Sequence, residues 1–230
     1  MLVPFGPDIW IADGGEVEGM AGFHFPTRMA VIRLGDGSLM IWSPVAPTAA
    51  LRAEVAALGR VAHLVAPNSL HHLFLQNWLQ TFPEARAHAA PGLAEKRRDI
   101  AFASELGDTP LPDWAGEVDQ VVMRGNRITE EVVFLHRASG TVLVTDLIQH
   151  LPRGWFRGWR ALVARLDGMT GPAPTVPRKF RLAFTDLAAT RAAVQRILAW
   201  PAERLVIAHG APVPRDAGPV LRAAFGWALC

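Results

Sequence analysis

The chain has 230 residues, half of them hydrophobic and 19% charged, with a formal net charge of only +2. That is enough apolar material for a sizeable core, and length alone admits one large domain or two small ones. Its single cysteine, Cys230, excludes an intrachain disulfide and any cysteine-based metal cluster.

The pI of 9.3 does not point to nucleic acid. Arginine is spread along the chain, and only Lys96, Arg97 and Arg98 form a tight basic group, which reads as a solvated turn. No run of about 18 apolar residues is present, so no membrane span is predicted. The start, MLVPFGPDIW, carries Asp8 and no basic stretch, and is not read as a signal peptide. The expectation is a cytoplasmic protein, residues 1–230 forming one domain, with neither nucleic acid nor membrane as partner.

In chain order, Asp8 to Asp13 predicts a strand, and GGEVEGMAGFHFP a glycine-rich loop. Thr27 to Leu34 and Ser38 to Trp42 read as a hairpin around Gly35-Asp36-Gly37. Thr48 to Leu58 is a helix with Leu51, Val55 and Leu58 on one stripe and Gly59 as its stop. Val61 to Ala66 is a buried strand ended by Pro67, which cannot donate to a ladder. Asn68 and Ser69 then suit the start of a helix, with Leu70, Phe74 and Trp78 at helical spacing. Ala85 to Ala90 is a weak strand, and Asp99 to Gly116 mostly loop. Val118 to Met123, Glu131 to His136 and Thr141 to Thr145 are strands. Trp155 to Leu166 is a helix with Trp155, Trp159 and Leu162 on a core-packing face. Met169 to Lys179, with three prolines, is a loop. Thr185 to Trp200 is a helix, Arg204 to Ala208 a strand and Pro219 to Ala228 a last helix. Helices covering sheets make this a layered α/β chain.

Three strands end on residues able to bind a metal: His71 and His72 after VAHLVA, Asp146 after TVLVT, and His209 after RLVIA. Side by side, these strands would bring the four side chains to one sheet edge, where open α/β sheets bind ligands. Imidazoles with one carboxylate suit a mononuclear site for zinc, iron or manganese. The residues equally allow His71 to bond the backbone and His72 to face solvent, because adjacent helical residues point about 100° apart. Ser69 beside two histidines suggests a nucleophile pair, but no G-x-S-x-G elbow accompanies it.

The order of elements resembles the metallo-β-lactamase superfamily, a four-layer αββα sandwich. The segments PNSLHHLFLQNW, TVLVTDL and LVIAHG are similar to an uncharacterised bacterial branch of it, a domain of unknown function. In active members the turn after an early strand carries two histidines one residue apart, then an adjacent aspartate and histidine. Here those positions are Pro67, Ser69, His71 and His72. The bridging aspartate matches Asp146 and the final histidine His209. A further family histidine has no counterpart in Arg124 to Glu130, and His136 stands at the far end of that strand. The resemblance thus implies that one of two metal sites is lost and the other kept as His71, His72, Asp146 and His209, holding one divalent ion, zinc before iron or manganese.

The function so implied is a mononuclear metal-dependent hydrolase of a small ester, amide or phosphoester, with His24 or His150 transferring protons. The alternative is a non-catalytic protein of the same fold that binds a small anion or a protein partner.

Overall fold

Seven strands follow one another in chain order across the first sheet of the computed structural model, which describes residues 1–229. Cys230 lies outside the described residues. β1 (Val3–Gly6), β2 (Ile9–Glu18), β3 (His24–Arg33) and β4 (Leu39–Trp42) pair antiparallel, and β5 (Val61–Ala66), β6 (Arg86–Ala89) and β7 (Phe102–Glu105) continue in parallel. Parallel neighbours need crossovers. α1 (Ala49–Leu58), α2 (Leu75–Thr81) and α3 (Leu93–Lys96) lie in these connections. Thr48 Oγ1 accepts the Leu51 N–H at 3.1 Å and so starts α1.

The second sheet has β8 (Val118–Met123), β9 (Glu131–His136), β10 (Thr141–His150) and β11 (Arg204–Gly210), with β11 parallel to β10 at one edge. Between those two strands run α4 (Gly158–Asp167), α5 (Arg178–Ala183) and α6 (Leu187–Leu198), and α7 (Ala217–Phe225) follows β11.

Three apolar layers hold these elements. Met40, Trp42 and Val65 of the first sheet meet Val132, Phe134, Leu143 and Val206 of the second. Leu51, Val55, Leu75 and Trp78 cover the outer face of the first sheet, and Phe180, Val194, Ile197 and Leu221 that of the second. The result is helix, sheet, sheet, helix, the four-layer αββα sandwich expected from the sequence.

Several local expectations change. Gly14 to Glu18 and His24 to Pro26 are not loop but the distal half of the β2–β3 hairpin, with Glu16 opposite Pro26 and Glu18 opposite His24. Cross-strand pairing there overrides the glycines. Residues 71–74 form a turn, and α2 begins only at Leu75. β10 continues through Asp146 to His150, but its pairing with β11 is irregular between Val144 and Gln149. On α4 the predicted core face is reversed: Ala164 is buried while Trp159 and Leu162 are exposed.

Candidate metal centre

The two sheets meet at one edge where the turn after β5, the middle of β10 and the end of β11 deliver side chains. His71 Nε2 lies 3.0 Å from His209 Nε2 and 3.3 Å from Asp146 Oδ2, and His209 Nε2 lies 3.3 Å from Asp146 Oδ1. Among the described residues, these three are the group of histidine and carboxylate ligand atoms close enough to share an ion. Zinc–nitrogen and zinc–oxygen bonds of about 2.0–2.1 Å place tetrahedral donor atoms roughly 3.3 Å apart, close to the spacing seen.

The far side of each ligand is fixed. His209 Nδ1 is 2.7 Å from the Pro26 carbonyl, which can only accept, so Nδ1 carries the proton and Nε2 is free to ligate. His71 Nδ1 bonds Ser43 Oγ at 2.8 Å. Burial holds the His71 pKa below its usual value against the pull of Asp146, leaving a neutral imidazole at neutral pH. Burial alone would raise Asp146, but the neighbouring His71 and His209 outweigh it and keep the carboxyl well below the usual carboxylate range.

Two residues that sequence reading did not single out as partners set the position of Asp146. The Asn68 amide donates to Asp146 Oδ2 at 2.7 Å and to Thr145 Oγ1 at 2.9 Å. Its Oδ1 accepts the N–H of Leu70 and of His71, shaping the turn that carries His71. Glu131 fills the ladder gap of β10. Its carboxylate accepts from Thr145 N at 2.7 Å, Asp146 N at 2.8 Å and Leu147 N at 3.1 Å. Burial and the charge of Asp146 push Glu131 up to about 7, against the lowering effect of those N–H donors. Since donors converge on both oxygens, the ionised form is the one this geometry serves. The available signal was an acidic residue opening a strand, EVVFLH, that is apolar up to its final histidine.

Arg28 secures β11. Its Nε meets Asp13 Oδ1 at 2.7 Å, and its Nη1 donates to the carbonyls of Ile207 and Gly210 on either side of His209. Gly210 has φ of +146°, and a Cβ there would sit 2.3 Å from the His150 carbonyl oxygen. Only glycine lets β11 lie this close to β10 beside the site.

The four expected ligands do not all converge. His72 is turned the other way, with Nδ1 accepting from Arg97 Nη1 at 2.8 Å. Burial, then Lys96 and Arg97, push it down to about 4. Neighbouring side chains on one turn diverge, and Asn68 orients the turn so that His71 faces inward. His24 lies outside the group, its Nε2 3.6 Å from Glu16 Oε2 and its ring against Trp155 and Phe156. His150 is half-buried at the end of β10, opposite Gly210. Ser69 Oγ bonds Thr129 Oγ1 at 2.9 Å rather than a histidine.

The family profile described as "Domain of unknown function (DUF4336)" matches residues 8–156. No curated protein matches the sequence. Solved structures share the fold. The metallo-β-lactamase from Pontibacter korlensis is 13% identical with a TM-score of 0.65, covering 99% of this chain and 98% of its own. The metallo-β-lactamase FIM-1 from Pseudomonas aeruginosa, in its mono-zinc form, is 13% identical with a TM-score of 0.61, covering 100% and 96%. The metal-soaked Flv1 flavodiiron core from Synechocystis is 12% identical with a TM-score of 0.64, and this chain, covered in full, spans 60% of its length. With well over half of its length matched by the family profile, the chain belongs to the DUF4336 family of domains of unknown function, on a metallo-β-lactamase fold.

Proposed function

We propose that the chain is a mononuclear metal-dependent hydrolase acting on a small ester, amide or phosphoester. One divalent ion, zinc before iron or manganese, would be held by His71, Asp146 and His209. The observation that carries this reading is the meeting of two imidazole nitrogens and the two oxygens of one carboxylate at 3.0–3.3 Å, with the imidazoles tied down at their other nitrogens. Two imidazole nitrogens and one carboxylate facing one another are a donor set suited to a divalent cation. FIM-1, which shares the fold, was solved with a single zinc.

Bound at this set, an ion would acidify a water into a nucleophile near neutral pH. The chain supplies the rest. Ser43 and the Pro26 carbonyl orient the imidazoles, and Asn68 and Glu131 hold Asp146 against rotation. The side chains of all three ligands are at most 8% exposed, which limits competition by bulk water. Proton transfer falls to His150 rather than His24, whose Nε2 already faces Glu16.

Metal analysis of protein purified without chelator, followed by assays on esters, lactones, thioesters and phosphoesters, tests this. One ion per chain with turnover that is lost in His209→Ala supports it. One ion without turnover on any class would favour the binding-protein alternative. Turnover that survives metal removal would exclude the hydrolase reading.

A further inference from the structure

Helix α4 is built inside out. Ala161 and Ala164 pack toward Leu151, Phe156 and Met169. The large apolar residues face solvent: Trp159 is 54% exposed, Leu162 52%, Val163 41% and Leu166 55%. Their i, i+3, i+4, i+7 spacing gives an apolar sector about 100° wide. At helical pitch Arg160 and Arg165 flank that sector on its two sides. Met20, 90% exposed, stands in the adjoining turn, which Arg160 grips through the Ala21 carbonyl at 2.8 Å. An open groove of about 990 Å³ runs alongside, lined by Phe156, Ala161 and Leu162 with Arg153 and Arg165.

Charge is concentrated on the same segment. Residues 151–184 hold six arginines and one lysine against a single carboxylate, Asp167. This stretch is therefore +6 in a chain whose total is +2. Asp167 is itself paired with Lys179 at 3.0 Å. Arg153, Arg157, Arg165 and Arg178 are exposed, and among the described residues none has a carboxylate within ion-pair distance.

We propose that α4 and its flanking arginines dock the protein on an anionic lipid bilayer, with Trp159, Leu162 and Leu166 entering the interface. An exposed apolar stripe edged by cations is what a peripheral membrane helix presents. No helix among the described residues is long and apolar enough to cross a membrane, and surface docking needs none. Nucleic acid would use the arginines but leave the leucines in water. A second copy of the chain would set two arginine-rich segments against each other. The proposal is independent of whether the metal centre holds an ion.

Flotation of the full chain with phosphatidylglycerol–phosphatidylcholine vesicles, at about 0.1 M salt, tests it. Recovery with these vesicles and not with pure phosphatidylcholine is expected. Leu162→Glu with Leu166→Glu should abolish it, with circular dichroism and thermal melting unchanged because both sites are exposed. Arg157→Gln and Arg165→Gln should each weaken it on the order of fivefold. No recovery with anionic vesicles would overturn the proposal. So would recovery that ignores the double leucine variant, tighter retention of a single-stranded RNA than of vesicles, or a dimer in solution that the leucine variant dissociates.

Discussion

Asn68 and Asp146 are joined by a 2.7 Å hydrogen bond across the gap between the two sheets, and the same amide shapes the turn that carries His71. One buried side chain thus sets the spacing between two of the three candidate ligands. Asn68→Ala would leave the Asp146 and Thr145 contacts and two turn N–H groups without a partner. It is expected to lower stability by about 1–3 kcal/mol and to weaken ion binding by roughly tenfold to a hundredfold. Urea denaturation and a zinc competition titration check the two effects separately.

Glu131→Gln keeps size and removes an acceptor. The carboxylate takes Thr145 N on one oxygen and Asp146 N and Leu147 N on the other, so an amide NH₂ must face a donor whichever way it is turned. A cost of about 1–3 kcal/mol is expected, together with weaker ion binding, because the β10 gap that carries Asp146 loosens. A stability equal to that of the parent chain in urea, with unchanged zinc affinity, would refute the role given to Glu131.

A second histidine pair, outside the candidate site, predicts acid sensitivity. His63 Nδ1 and His88 Nε2 are 3.0 Å apart, His88 Nδ1 bonds Ser104 Oγ at 2.8 Å, and Trp114 packs edge-on to both rings. Burial, with the His63 charge and then Arg86, pushes His88 from 6.5 down to about 4. The folded value is below the unfolded one, so the unfolded chain takes up the proton first. Stability is therefore complete above 6.5 and is lost as pH falls toward 4. His88 alone would account for roughly 3 kcal/mol of that loss. In His88→Gln the slope of stability against pH between these limits should fall by close to one proton; an unchanged slope would refute the assignment.

Much of the fold was legible in the sequence because its strands are short apolar runs with clear stops. The β3–β4 hairpin, α1, and β8 and β9 all lie where periodicity predicts. β1, with Pro4 inside it, and the distal β2–β3 hairpin were not legible, since their stability comes from cross-strand neighbours rather than from local preference. The same limit applies at the site. His71, Asp146 and His209 could be read as polar residues following apolar strands. Which of two adjacent histidines turns inward is decided by Asn68 and Arg97, through contacts that no local pattern reveals. Ser43 and the Pro26 carbonyl act only through long-range bonds, so nothing near them in the chain marks their part. On α4 the periodicity was correct and the face was reversed, because a stripe of apolar residues says nothing about which side the core is on.

The most direct test is the metal content of four proteins purified in parallel without chelator: the parent chain, His71→Ala, His209→Ala and His72→Ala. One divalent ion per chain is predicted in the parent and in His72→Ala, with loss in both of the other variants. An ion retained at full occupancy in His209→Ala, or lost in His72→Ala while the fold persists, would contradict the ligand set of His71, Asp146 and His209.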